Sequence, residues 1–596
     1  MRLIPVAVAV VAAALYLTGL GDAPFLDPPE GMHTEVARGM VAGGDFLTPR
    51  LNGVRYLDKP PLLYWLLALP LTLGGPTPGA ARIWSALSGA AGAGLTAWIG
   101  VLLGGPRVGL LAGLIVTANL GVFVYARLVK ADALFLLCLT LAWAGFAAAY
   151  LGRGGRRGLA VFYTGLGLAV LAKDLLGAVG PLLAVGLFLA LTRERPLGPW
   201  VPAWGLGLLA AVGLPWYLLV EARNPGFLWY TVVDNHLLNV VRQRVFPDED
   251  VPLTALEFVA VTAAAFLPWA PAVPWALARA LRGPRRDARD RLGVLLALWA
   301  LLVLGFFTLS PFKLPHYGLP VFPALALLVA RVWDETITAE PAAPGARTLL
   351  APLAVVFAGA AVVAALVRLG ALRPFDRALA AVDVATRNAA ARGALPDASA
   401  VAVFQPVLAW TAAIFAVAAV GVAVALWLRQ AELGVAVAVA AMLAFLPIAG
   451  RGMAEFARSR SAAPVITTLL AQARPGDLVV HEGPLENTAS LLLAWRRPVV
   501  VVDGLRSNLA FGATFAEARD TFWDAAELEA AWRRPGRHFL VSTVGPERSV
   551  VRRLPPGSVR LLVEAGGRRL YVSAAPPAEG TGPLAQPDRT AAAKRG

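Results

Sequence analysis

Four short stretches hold most of the ionisable residues that could do chemistry. The rest of the chain is largely apolar: 58% of its 596 residues are hydrophobic and 15% charged. The first stretch, FLDPPEGMHTEVARGM, continues through GDFLTPRLNGVRYLDKPP and carries Asp27, Glu30, Arg55, Asp58 and Lys59. Carboxylates such as Asp27 and Glu30 can take a proton from an acceptor or position it. Lys59 and Arg55 add cations, one a compact ammonium and the other a planar fork. Asp27-Pro28-Pro29-Glu30 also reads as a helix start, with Asp27 as N-cap, Pro28 in the first helical position and Glu30 closing an acidic capping box. Lys59 also reads as a lysine snorkelling to an interface.

The other three stretches are shorter. VKADALF places Asp132 in a first helical turn, where an acid also simply favours the helix dipole. NPGFLWYTVVDNHL carries His236, one of 5 histidines. SPFKLPHYGLPVFP brings Lys313, His316 and Tyr317 to the end of an apolar run, where a tyrosine is also ordinary interface chemistry. Lys173-Asp174 interrupts another apolar stretch, either as a functional charge or as a local ion pair.

Positioning these groups falls to membrane-spanning helices. A soluble domain carries about 25% charged residues, and runs of about 20 apolar residues are long enough to cross a bilayer. Such runs lie near 3–20, 82–104, 107–127, 131–151, 158–173, 175–192, 200–220, 257–279, 291–309, 315–331, 348–368, 407–428 and 433–450. They predict an all-α polytopic membrane protein of about thirteen transmembrane helices over 1–450. The apolar segment 60–73 is too short to span and is expected to lie at the interface. The net charge of +15 sits in short loops between apolar runs, which fits topogenic charge rather than nucleic-acid binding. With the N-terminus inside, the basic loops at Arg107, Arg153–Arg157, Arg193–Arg195 and Arg279–Arg291 all fall inside. The loop 21–59 and the other three stretches then fall outside, with a further loop near 369–406. The lone Cys138 excludes a disulfide framework.

After residue 450 the pattern changes. Helical segments at 465–473 and 525–532 alternate with β-rich runs at 477–480, 498–502, 538–541, 559–563 and 570–572. This predicts a small extracytoplasmic α/β domain over 451–575. A Pro-, Gly- and Ala-rich tail over 576–596 is expected to be disordered.

The order of DPPEGMHTEVARGM, GDFLTPRLNGVRYLDKPPLLYW, VKADALF, LAVLAKDLLG, NPGFLWYTVVDNHL and FKLPHYGLPVFPALALL resembles the bacterial lipid A aminoarabinose transferases. These belong with the protein O-mannosyltransferase-like glycosyltransferases of GT-C-type membrane fold. The resemblance covers about residues 1–330. It implies transfer of a sugar, with inversion, from a polyprenyl-phosphate carrier to a lipid A-like or other envelope acceptor, on the periplasmic face of the bacterial inner membrane. Transfer to protein Ser/Thr is the alternative within the family. The implied partners are the polyprenyl-phosphate-linked sugar, a lipid or protein acceptor and the surrounding membrane lipids, with no nucleic acid.

On this resemblance Lys59 matches the family's phosphate-binding lysine, with Arg55, Tyr317 and Lys313 as further donor-phosphate ligands. Asp58 and His236 match residues that can hold a divalent metal, zinc or similar. Asp132 matches a further site residue. Counting back from Lys59, Pro29 stands where the family has its catalytic Asp, and Glu30 where it has the following Glu. The catalytic acid is therefore expected to be Glu30 or Asp27. A lipid or polysaccharide transporter is the competing class. It would line its spans with ionisable groups and show internal repeats; here the charges collect at one surface.

Overall fold

The computed structural model describes residues 3–247, 249–338, 344–372, 383–394, 402–505 and 507–573. The expected tail lies outside these residues, as do parts of the loop near 369–406. Among the described residues seven helices are long and apolar enough to cross a membrane, and up to ten if each of three bent pairs is one span. The expectation of about thirteen goes beyond that number. Leu3–Leu17 and Leu176–Thr192 are apolar but short. At about 1.5 Å per residue, 15 and 17 residues rise less than the roughly 30 Å of a hydrocarbon core.

The bends are the main departure from the expected spans. The run 107–127 splits into Pro106–Thr117 and Leu120–Ala126, bent by 59°, because the Asn119 side chain accepts from Val122 N and starts a new helix. The run 200–220 splits into Ala203–Gly213 and Pro215–Arg223, bent by 43°, with a proline opening the second piece. The run 257–279 turns by 111° between Ala255–Ala265 and Ala270–Arg282, where prolines 268, 271 and 274 withhold backbone donors. The segment Leu62–Gly74 is a 13-residue helix, too short to span.

Small residues let the inner helices approach closely. A Cβ on Gly145 of Ala131–Tyr150 would lie 2.5 Å from the Gly158 carbonyl of Gly155–Ala172. Ala131–Tyr150 is almost wholly buried, whereas Ala402–Trp427 keeps most of its apolar surface exposed, as a lipid-facing helix does.

The ionisable groups divide between the two ends of the bundle. At one end Tyr150 donates to Glu194 at 2.5 Å, Arg291 reaches Glu194 at 3.1 Å, and Arg279 pairs with Glu335 at 3.1 Å. At the other end lie the first loop, the turn before Ala131, the stretch 224–254, the turn before Phe322, and the C-terminal domain. The first loop folds into the helix Pro29–Gly43 and a two-strand ribbon, Arg50–Leu51 with Val54–Arg55.

The last apolar helix, Ala431–Arg460, runs ten residues past its expected end and delivers the chain to the C-terminal domain. There a six-stranded sheet has the order 522–523, 500–502, 478–482, 538–542, 568–573, 559–565. The first four strands are parallel, and the last two pair antiparallel. From 478–482 the chain winds first to one side and then returns to the other at 538–542. The crevice beyond the carboxyl ends of these two strands is where such sheets take ligand. Here it receives the segment after helix Val384–Ala391. Gly545 N donates to the Arg392 carbonyl at 3.1 Å, and Arg392 Nε donates to the Thr543 carbonyl at 3.2 Å.

Candidate active site

Three lysines from three separate segments meet at the loop end of the bundle. Lys59 closes the first loop and ion-pairs with Asp58. Lys130 stands just before helix Ala131–Tyr150, 3.6 Å from Asp132. Lys173 follows helix Gly155–Ala172 and reaches Asp132 at 2.5 Å. His316 Nε2 approaches the same Asp132 oxygen at 3.9 Å, and Lys173 Nζ lies 5.3 Å over the Tyr317 ring.

The neighbours register the crowding of positive charge. Burial, with the fields of Lys130 and Lys59, pushes the His33 imidazole down to about 3. Burial, with the nearby Lys173 and Lys59, also lowers Lys130 against the pull of Asp132. Burial would raise Asp58, yet Lys59, Arg244 and Tyr230 hold it below the usual carboxylate range. His33 is further fixed by Tyr64, 3.0 Å from its Nδ1. A half-buried group of ammoniums held in place beforehand suits an anion whose charge grows during reaction.

The structure thus brings Lys59, Asp58, Asp132 and Tyr317 to one place. It takes Glu30, Asp27 and Arg55 elsewhere. Glu30 is completely buried. It accepts from Arg82 Nε at 2.7 Å and Nη2 at 2.6 Å, from Leu26 N at 2.8 Å and from Val129 N at 3.1 Å. These bonds pin the first loop to helix Pro78–Gly104. The expected capping box is also absent. Helix Pro29–Gly43 starts without a side-chain cap, and Asp27 instead accepts from the Ser490 backbone N at 3.1 Å and from its hydroxyl. Gly31 leaves room for this junction, because a Cβ there would collide with Asp27 and with Ser490 N. Arg55 donates to Glu517 at 2.5 Å and Asn224 at 2.9 Å, and covers the Phe515 ring at 4.0 Å. It docks the C-terminal domain rather than a phosphate. Asn52 adds paired bonds to the Val499 backbone. Lys313 is buried, and its carbonyl accepts from Leu253 N at 2.9 Å. Among the described residues no bond from its ammonium joins it to the other lysines. Lys173 pairs with Asp132 rather than with Asp174, which instead accepts from Leu176 N.

Asp27 yields a pH prediction. It is 3% exposed, and burial pushes its carboxyl up to about 6 despite Arg568 and the two Ser490 bonds. A raised acid binds its proton more tightly folded than unfolded. Its contribution to stability is therefore fully present below its ordinary value of 3.8 and is lost as pH rises through about 6. Two units of difference correspond to about 3 kcal/mol. Between about pH 4 and 7 the stability gap between wild type and Asp27→Asn is expected to move steadily in favour of the variant. Heat stability of the full chain in detergent checks this, and a gap flat with pH would contradict it.

The donor set gives little support for a metal cage. Among the described residues no group of three or more His, Cys, Asp or Glu is arranged to hold an ion. Asp58 bonds to Lys59 and, at 3.3 Å, to the Tyr230 hydroxyl. His236 sits in wide helical turns over Trp229–Leu238, with Nδ1 2.6 Å from the Thr231 carbonyl. These two residues alone do not fit a metal cage.

Sequence reading missed Lys130, His33 and Tyr64 as members of this centre, and mentioned Lys173 and His316 without assigning them a role. Lys130 and His316 lie inside the quoted motifs, so proximity to Asp132 and Tyr317 was the available signal. His33 and Tyr64 also lie inside quoted motifs, close to Glu30 and Lys59, so the same signal was available for them.

Comparison with known proteins finds relatives of this chain. Residues 33–231 match the family model described as dolichyl-phosphate-mannose-protein mannosyltransferase. An undecaprenyl phosphate-alpha-4-amino-4-deoxy-L-arabinose arabinosyl transferase of Sodalis glossinidius is 32% identical over 332 residues, covering 54% of this chain and 58% of its own. The Pseudomonas aeruginosa protein of the same name is 32% identical over 334 residues, covering 53% of this chain and 56% of its own. The chain thus spans less than two thirds of the length of these relatives. The crystal structure of ArnT from Cupriavidus metallidurans bound to undecaprenyl phosphate superposes with a TM-score of 0.77 at 25% identity, covering 96% of this chain and 98% of that one. Its apo form gives 0.76 at 24% identity.

Proposed function

We propose that this chain, which has the GT-C-type fold and resembles the aminoarabinose transferases, moves a sugar from a polyprenyl-phosphate donor to an envelope lipid. The carrying observation is the convergence of Lys59, Lys130 and Lys173 at the loop end of the bundle. A lipid-borne donor diffuses in the bilayer and must present its phosphate at the membrane edge. The lysines bind that phosphate and take up the charge it gains as the sugar–oxygen bond breaks. Asp132 holds Lys130 and Lys173 at a fixed spacing, and Tyr317 covers Lys173. Attack from the face opposite the phosphate inverts the sugar carbon. By the placement of basic loops at the far end, the centre faces the periplasm from the inner membrane.

Relatives bearing the arabinosyl transferase name favour an amino sugar as the transferred group, and the resemblance to the lipid A aminoarabinose transferases favours a lipid acceptor over protein transfer. The test uses the full chain in lipid nanodiscs with undecaprenyl-phosphate 4-amino-4-deoxy-L-arabinose and lipid A. Mass spectrometry is expected to show lipid A gaining one amino sugar. If no sugar moves to lipid A, the lipid reading fails; sugar on a Ser/Thr peptide instead would select the protein branch.

A further inference from the structure

The transfer proposed above needs a group that takes the acceptor's proton, and the first-loop carboxylates are engaged elsewhere. Glu30 is enclosed by Arg82, and Asp27 is bound to Ser490. Asp58 and Asp132 are ion-paired directly with the lysines. Another aspartate stands on a different element that is tied by backbone to the turn carrying His316 and Tyr317. Asp250, half-buried in the stretch leading to helix Ala255–Ala265, lies within the fields of Lys130 and Lys59.

Its orientation is fixed from behind. Asn388 on helix Val384–Ala391 is 2% exposed. Its Nδ2 donates to Asp250 Oδ1 at 2.7 Å, and its Oδ1 accepts from Val251 N at 3.0 Å. One amide therefore holds both the side chain and the following backbone. Three residues on, Leu253 N donates to the Lys313 carbonyl, which ties the stretch to the turn carrying His316 and Tyr317. A carboxylate aimed by a neutral amide, next to cations that would grip the donor phosphate, is the base-and-orienter arrangement that acceptor activation calls for.

The geometry points to Asp250 as the general base of the transfer, positioned by Asn388. This rests on the function proposed above. The acceptor's O–H gives its proton to Asp250 as the oxygen bonds to the anomeric carbon of the sugar. The bond from that carbon to the donor phosphate oxygen breaks, and its electron pair stays on the phosphate among Lys59, Lys130 and Lys173. Asp250 then releases the proton to water. Burial raises the proton affinity of Asp250, with Glu249 adding to it, while the Asn388 bond, Lys130 and Lys59 pull the other way. Glu486 faces the pair from the C-terminal domain. A carboxylate raised toward the working pH makes a better base.

The test uses the full chain in nanodiscs with the donor and acceptor named above. Asp250→Asn is expected to lose about 10²-fold or more in kcat while binding undecaprenyl phosphate as wild type does. Asp250→Glu is expected to recover part of the rate. The wild-type rate should fall as pH drops through a midpoint above the ordinary carboxylate value, and that acid limb should vanish from the residual activity of Asp250→Asn. Asn388→Ala should lower kcat and shift the limb with the donor KM unchanged. An active wild type beside an Asp250→Asn variant within about threefold of it overturns the inference, as does an unchanged pH limb. Loss of undecaprenyl phosphate binding or of heat stability in Asp250→Asn overturns it in favour of a structural role. A wild type that moves no sugar to any acceptor overturns the proposed function and this inference with it.

Discussion

Lys59→Ala is expected to lower sugar transfer by about 10²- to 10³-fold in kcat, the scale on which one preorganised charge-stabilising group acts. The fold should survive. The Lys59 side chain is 41% exposed, so its removal opens no cavity in the core. Asp58 keeps the Tyr230 hydroxyl and the field of Arg244, which limits the cost of losing its ion-pair partner. The donor KM should rise less than kcat falls, because the ammonium matters most when the phosphate gains charge. Arginine is a poor substitute, since its rigid fork presents charge differently from a compact ammonium. Transfer rate, undecaprenyl phosphate binding and heat stability measured on the same sample check this. A Lys59→Ala protein with near-normal kcat would remove the lysine centre from the chemistry.

The largest stability effect is expected at Arg82. Its side chain is 4% exposed and that of its partner Glu30 not at all. Arg82 also donates to the carbonyls of Leu20, Ala23 and Pro24. Arg82→Met strands a buried carboxylate, one buried carbonyl and two half-buried ones, a loss on the order of 3–5 kcal/mol. Much of this should return in the double variant Glu30→Met/Arg82→Met, in which no uncompensated charge remains. Heat stability of the detergent-solubilised full chain reads the difference. Glu30→Gln should lose activity only in step with folded protein. Activity lost from a Glu30→Gln protein of normal stability would return Glu30 to the catalytic step.

These two residues show what was legible in the sequence. Lys59 stands out because it ends a polar loop against a double proline and a short apolar run, so its neighbours in the chain already describe its surroundings. Glu30 stands in the same loop and looks equally chemical. Its partner is 52 residues away, at the start of an apolar run where an arginine reads as a boundary charge. Lys173 presents the same difficulty, because adjacency suggested Asp174 and packing chose Asp132. Glu35 and Arg38, paired at 2.6 Å, show the opposite case, in which three-residue spacing on one helix suffices.

At the level of elements, apolar length located the helices but not their bends. Those bends follow from prolines and from the Asn119 cap, whose effect depends on what packs around them. In the C-terminal domain the strands show as short β-rich runs. Strand order does not, because nothing local says that the strand at 538–542 will lie beside the one at 478–482. The two-residue strand Phe522–Trp523 is too short to leave a pattern.

In parallel sheets of this winding a diffusible nucleotide or sugar usually settles where the strand order reverses. Here the peptide at Arg392 sits in that place, so the C-terminal domain has the rest of its own chain as its resident ligand. Arg392 also reaches Glu249 at 2.7 Å, beside Asp250. A domain whose small-molecule niche is already filled by its own chain has that niche closed to a diffusible ligand, and the same contact adds to those of Asp27, Asn52 and Arg55 in holding the domain to the bundle.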